Sequence, residues 1–242
     1  MADITIPVGS LDLPGYLAVP EGEGPWPAVV IVFEATGANQ DMRDQADRLA
    51  AQGYLAVLPD LYSGKPWLRC VRKAMRDMMA RRGPAFDAIE AARVWSAERE
   101  DCTGRVGVIG FCMGGGFALV AAAKYDFDAA SVNYGILPRG DMAKILDGAC
   151  PVVASYGGRD RTLRGAAGKL DLALTEAGVV HDVKEYPGSG HSFLTESTAP
   201  PPLNAVAKVM LGLGAGRENA PDAWDRIFAF FGDHLRKNGS TT

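Results

Sequence analysis

The chain has 242 residues, 48% hydrophobic and 22% charged, with a net charge of −4 at pH 7. Those proportions belong to an ordinary globular protein able to bury one α/β core, and they give no reason to expect nucleic acid or an anionic membrane as partner. No apolar run is long enough to span a membrane, and the opening Met1-Ala2-Asp3-Ile4-Thr5 lacks the segments of a signal peptide. Cys70, Cys102, Cys112 and Cys150 show no Cys-x-x-Cys spacing and no neighbouring histidines, which argues against a zinc site and fits a reduced, cytoplasmic setting.

In chain order, Ile4-Thr5-Ile6 and Gly15-Tyr16-Leu17-Ala18-Val19 flank a turn region from Pro7 to Pro14 and predict an antiparallel hairpin at a sheet edge. A Gly/Pro-rich connection over 21–27 leads to Ala28-Val29-Val30-Ile31-Val32-Phe33, apolar on both faces as in a parallel sheet. Residues 40–52 carry helical spacing (Met42, Ala46, Leu49, Ala50) that stops at Gly53, and residues 54–58 form the next buried strand. The basic, Met-rich run 63–82 reads first as a solvated helical face. Residues 85–98 predict an amphipathic helix. Further strands are expected over 129–135, 151–158 and 180–186, a helix over about 163–177, and a closing amphipathic helix over 222–236. Strands alternating with helices predict one doubly wound, mostly parallel α/β sheet, and no linker divides residues 1–242 into two domains. The Pro/Gly-rich stretch 197–221 is the least regular and reads as a loop or lid.

The stretch around Cys112 organises the rest. Val106 to Ile109 reads as a short buried strand, Phe117 to Ala123 as a packed Ala-rich helix, and Gly110-Phe111-Cys112-Met113-Gly114-Gly115 joins them. Strand, Gly-x-Cys-x-Gly-Gly and helix form a nucleophile elbow with cysteine where serine is more usual. The turn is so sharp that its neighbours must lack bulk, and it sets the thiol at a helix N-terminus, where the dipole favours a thiolate. The bland readings are a structural cysteine on a Gly-rich turn or a phosphate-cradling loop. No Gly-x-Gly-x-x-Gly or Gly-Lys-Ser/Thr supports the latter.

Functional groups of a parallel sheet gather at the C-terminal ends of its strands. Four fall there: Glu34, Cys112, Asp160 after Tyr156-Gly157-Gly158-Arg159, and His191 after Tyr186-Pro187-Gly188-Ser189-Gly190. Of the other histidines, His181 adjoins the last strand and His234 lies in the closing helix, so both read as structural. Asp160 could be an ordinary turn or helix-cap aspartate. Yet the order nucleophile, acid, histidine is that of α/β-hydrolases, and a Cys112–His191–Asp160 triad is expected.

With these pieces in place the sequence resembles the dienelactone hydrolases (carboxymethylenebutenolidases). The matching segments are Val32-Phe33-Glu34-Ala35-Thr36-Gly37, residues 53–62, Gly110 to Gly115, Gly158-Arg159-Asp160 and Gly190-His191-Ser192-Phe193. The resemblance implies an α/β-hydrolase that opens a lactone or ester through a thioacyl-enzyme, with Glu34 helping to deprotonate the thiol. It also implies an oxyanion hole from the N–H groups of Met113 and Ala35, and no metal or cofactor. The expected partner is a small lactone or ester, with the chain a monomer or small homo-oligomer. The best-known members grip a substrate carboxylate with an arginine four residues after the histidine, where Thr195 stands here. A second arginine comes from the segment before the elbow, and Arg69, Arg72 and Arg76 all remain candidates, with Trp67 and Phe193 beside them as substrate-binding residues. A broader carboxylesterase or thioesterase on neutral esters, a non-catalytic small-molecule binder, and a redox-sensing Cys112 with a resolving thiol are the rival readings.

Overall fold

A computed structural model describes residues 2–63, 67–196 and 209–236. Its centre is one eight-stranded sheet in the order β1-β2-β4-β3-β5-β6-β7-β8. The strands are β1 (Ala2–Val8), β2 (Leu11–Ala18), β3 (Trp26–Val32), β4 (Leu55–Pro59), β5 (Cys102–Phe111), β6 (Ala129–Asn133), β7 (Val152–Gly157) and β8 (His181–Tyr186). From β4 to β8 every neighbouring pair is parallel, while β1–β2 and β2–β4 are antiparallel. The expected α/β sheet is therefore present.

The hairpin differs from the expectation in its turn. Both strands run through the prolines, with Pro7 opposite Asp12 and Pro14 opposite Thr5, and only Gly9-Ser10 reverse the chain. Pro7 is tolerated because β1 is the sheet edge, where a missing N–H breaks no second ladder.

The helices are α1 (Gln40–Ala51), α2 (Trp67–Ala80), α3 (Pro84–Ala97), α4 (Met113–Lys124), the single turn α5 (Met142–Ile145), α6 (Ala166–Glu176) and α7 (Ala220–Leu235). Asn39 caps α1, its side-chain oxygen accepting the Met42 N–H at 3.1 Å. α1 and α7 meet where Arg48 lies over Trp224, and α2, α3 and α4 form a second packed group. α4 is buried from Met113 to Ala122 without interruption, which is why its sequence is apolar all round rather than striped. The elbow helix is thus held rigidly, and β3, β5, β6, β7 and β8 end on one side of the sheet. Of the stretch read as a loop or lid, residues 197–208 lie outside the described residues, and the part nearest α7 forms a 3-10 turn at Arg217–Asn219.

Candidate functional site

The site begins with a backbone that only glycine permits. A Cβ on Gly110 would lie 2.0 Å from the Gly114 carbonyl oxygen, and one on Gly114 would lie 2.0 Å from that of Val32. Strand β5, helix α4 and the end of β3 therefore touch backbone to backbone. Between them Cys112 takes φ 55° and ψ −116°, a conformation costing a non-glycine residue about 1–3 kcal/mol and held only because its surroundings over-determine it. Its N–H donates to the Asn133 carbonyl at 3.0 Å, and its own carbonyl accepts from Gly115 N–H at 3.1 Å. The thiol is left partly exposed at the start of α4.

His191 and Asp160 complete a line from the thiol. His191 Nδ1 lies 2.6 Å from Asp160 Oδ2, and the imidazole stands near enough to Cys112 for the thiol to act on its charge. Asp160 Oδ1 accepts from the Thr162 N–H at 2.9 Å and from its hydroxyl at 2.6 Å. Both residues are buried, with 6% and 1% exposure. Burial works hardest on His191 and opposes its charge, but the Cys112 thiolate and the bond to Asp160 outweigh it and push the imidazole up to about 10. Burial likewise opposes the Asp160 charge, yet the bonds from His191 and Thr162 hold its carboxyl below the ordinary value. The structure thus brings Cys112, His191 and Asp160 together.

Glu34 follows β3 and is 3% exposed. Three hydroxyls reach the same oxygen, Oε1: Thr195 at 2.8 Å, Ser192 at 3.1 Å and Tyr134 at 3.3 Å. Tyr134 also lies 3.1 Å from Thr195 Oγ1. The nearby burial, with the Glu34 charge second, raises the Tyr134 phenol well above its usual range, so it stays a neutral donor. In the sequence, Thr195 stood out only as the residue in place of the family's substrate-gripping arginine, and neither it, Ser192 nor Tyr134 was expected to hold Glu34. Tyr134 carried a further usable signal, its place just after the C-terminal end of β6.

Ala35 lies beside Glu34, and its carbonyl accepts the Tyr62 hydroxyl at 3.1 Å. Met113 opens α4 directly after the thiol. Arg69, Arg72 and Arg76 sit on the exposed face of α2, while Cys70, Ala74, Asp77 and Met78 are its buried residues. Trp67 starts α2, and its side chain lies outside the described residues. Phe193, expected to contact substrate, is instead a core residue. It is 1% exposed, with ring centroids 5.1 Å from Tyr186 and 6.0 Å from Tyr134, so it packs beneath the site. His181 is structural as expected, with Nδ1 2.7 Å from the Val179 carbonyl. Behind Asp160, Arg159, Arg161 and Arg164 line a cleft of about 470 Å³. Among the described residues no group of three or more His, Cys, Asp or Glu could hold a metal, and no helix is long and apolar enough to cross a membrane.

The chain is similar to known proteins in sequence and in fold. The profile of the dienelactone hydrolase family matches residues 13–235. A carboxymethylenebutenolidase of Pseudomonas putida is 30% identical over 194 residues, covering 76% of this chain and 82% of its own. The carboxymethylenebutenolidase of Pseudomonas knackmussii matches to the same extent. In fold, the chain resembles the crystal structure of a dienelactone hydrolase from Anabaena variabilis, with a TM-score of 0.68, 21% identity, and coverage of 97% of this chain and 98% of that one. A family match spanning nearly the whole sequence leaves one conclusion: the chain is a hydrolase belonging to the dienelactone hydrolase family.

Proposed function

We propose that the protein opens a small lactone or ester through a thioacyl intermediate on Cys112. The observation that carries this reading is His191, bonded to the buried Asp160 at 2.6 Å and close enough to Cys112 for each to act on the other's charge. A charged imidazole and a helix N-terminus are the surroundings that favour a thiolate nucleophile.

Cys112 sulfur attacks the carbonyl carbon, forming the S–C bond, and the carbonyl electrons move onto oxygen. The N–H groups of Met113 and Ala35 receive that oxyanion, the first by its place at the start of α4 and the second by its place next to Glu34. When the carbonyl re-forms, the C–O bond to the leaving alcohol breaks, and His191 delivers its proton to the departing oxygen. In a lactone that oxygen stays tethered to the acyl group. A water then gives its proton to His191 and attacks the thioester, and the thiolate leaves with the acid as product. Asp160 orients the ring throughout and stabilises the imidazolium whenever the ring carries the proton. Glu34 takes up the thiol's proton where substrate binding finds Cys112 protonated and returns it to the thiolate once the acid has left. Its carboxylate thus serves acylation, while the His191–Asp160 pair protonates the leaving oxygen and then serves deacylation. No metal or cofactor enters these steps.

One observation favours a second reading, a broader esterase or thioesterase on neutral substrates. Among the described residues, every hydrogen bond to the Glu34 carboxylate comes from a neutral hydroxyl, Thr195 included. The test is hydrolysis of an anionic dienelactone and a neutral aryl ester by wild type, Cys112→Ser and Cys112→Ala. Loss of turnover in both variants supports the thiol mechanism, and the better substrate decides the class. Turnover that survives Cys112→Ala rules the mechanism out.

A further inference from the structure

Tyr134 touches both Glu34 and His191. Its backbone follows Asn133, whose carbonyl holds the Cys112 N–H, and precedes Gly135, whose Cα would lie 2.7 Å from a Cβ on Gly115 in the elbow helix. Its own N–H donates to the Ser155 carbonyl on β7 at 2.7 Å. It takes φ 41°, an uncommon conformation for a bulky residue. Its ring centroid lies 4.9 Å from that of His191, and its hydroxyl reaches both Glu34 Oε1 and Thr195 Oγ1. A tyrosine needed only for packing would require neither the strained backbone nor two oxygen partners.

We propose that Tyr134 is a positioning residue that aims Glu34 and His191 together at Cys112. Its phenol O–H donates to Glu34 and lies within hydrogen-bond reach of Thr195, and the Thr195 hydroxyl donates to Glu34 as well. The three hydroxyls fix Oε1 and so set the rotation of the carboxylate. The ring, separately, forms a wall against which the imidazole is held while it shuttles a proton. Hydroxyl and ring therefore act through different partners: the hydroxyl through Glu34 in acylation alone, the ring through His191, whose proton serves the leaving oxygen and then deacylation. This inference rests on the roles assigned above to Cys112, His191 and Glu34.

The test separates the two steps with enzyme in excess over 4-nitrophenyl acetate. Release of 4-nitrophenolate reads acylation, and disappearance of the acetyl adduct on the Cys112 peptide reads deacylation. Tyr134→Phe keeps the ring, so acylation should slow by roughly ten-fold or more with deacylation within about two-fold of wild type. Thr195→Val, which breaks the same hydroxyl chain from the other side, should give the same signature. Tyr134→Leu should slow both steps. Acylation by Tyr134→Phe within two-fold of wild type overturns the proposal, as does equal slowing of both steps by Tyr134→Phe and Thr195→Val. Glu34→Gln keeps the failures apart. Unchanged acylation in that variant removes the Glu34 role itself, whereas slow acylation there with fast acylation in Tyr134→Phe removes the role of Tyr134 alone.

Discussion

Ser192 donates its hydroxyl to Glu34 Oε1 at 3.1 Å, and the residue before it is His191. The loop that carries the histidine is thereby tied to the strand end that carries the glutamate, 158 positions earlier in the chain. Ser192 also takes φ 56°, so the tie is made by a residue in a backbone conformation that glycine adopts more easily. Ser192→Ala and Ser192→Gly both lose the hydroxyl, but only alanine keeps the strain. Ser192→Gly should be the more stable of the two by about 1 kcal/mol, read by urea unfolding. Equal stability would mean that the backbone there is not strained.

The elbow predicts a sharp contrast between two glycines. A Cβ on Gly114 would meet the Val32 carbonyl oxygen, part of the main chain of a central strand, whereas one on Gly232 in α7 meets nothing within 4 Å. Gly114→Ala should therefore cost at least about 3 kcal/mol, because backbone cannot move aside as a flexible side chain does. Gly232→Ala should add about 0.5–1 kcal/mol through helix propensity and unfolded-state entropy. Thermal unfolding of the two variants checks both signs, and a well-folded Gly114→Ala protein would contradict the packing described here.

The elbow glycines mark what the sequence discloses. Gly110 and Gly114 crowd around Cys112 within five positions, so the elbow is written locally. The strand-end positions of Glu34, Asp160 and His191 follow from hydrophobic runs and the parallel-sheet rule. The hydroxyl cage on Glu34 was not legible, because Tyr134 and Thr195 lie 100 and 161 residues away from it, and Thr195 was marked only as replacing an arginine. Phe193 misled for the opposite reason. Its neighbour His191 belongs to the chemistry, but the chain turns over 191–195, and the ring falls into the core against Tyr186. Pro7 and Pro14 read as turn residues where the edge position of β1 lets the strands continue.

Thr162 bears on acid stability. Two donors from this one residue hold Asp160 Oδ1, and with His191 on Oδ2 they keep the carboxyl below its ordinary value against the effect of burial. A depressed carboxylate contributes stability that is present above the unfolded value, about 3.9, and is lost as pH falls through the folded one. Thr162→Val removes the hydroxyl donor and raises the folded value. Its acid unfolding midpoint should therefore move to higher pH, with deacylation slowed by roughly ten-fold as the imidazole loses its fixed partner. An unshifted midpoint would show that the Thr162 hydroxyl does not bear on the Asp160 charge.

His191 gives the corresponding prediction on the alkaline side. Burial opposes its charge, and the Cys112 thiolate is the first of the groups that overcome this and push it up to about 10. Cys112→Ala deletes that charge while leaving Asp160 in place, so the imidazole should titrate at a lower pH than in wild type. Imidazole carbon resonances followed against pH measure it directly, with His181 and His234 as internal references. The linkage has the opposite sense to that of Asp160. A raised histidine contributes stability that is complete below the unfolded value, about 6.5, and is lost as pH rises through the folded value near 10. Wild type should thus lose this contribution as pH approaches about 10, while Cys112→Ala has already lost it at lower pH. The gap in unfolding free energy between the two proteins should narrow over that interval. A His191 resonance that titrates identically in both would show that the thiolate is not what holds the imidazole protonated.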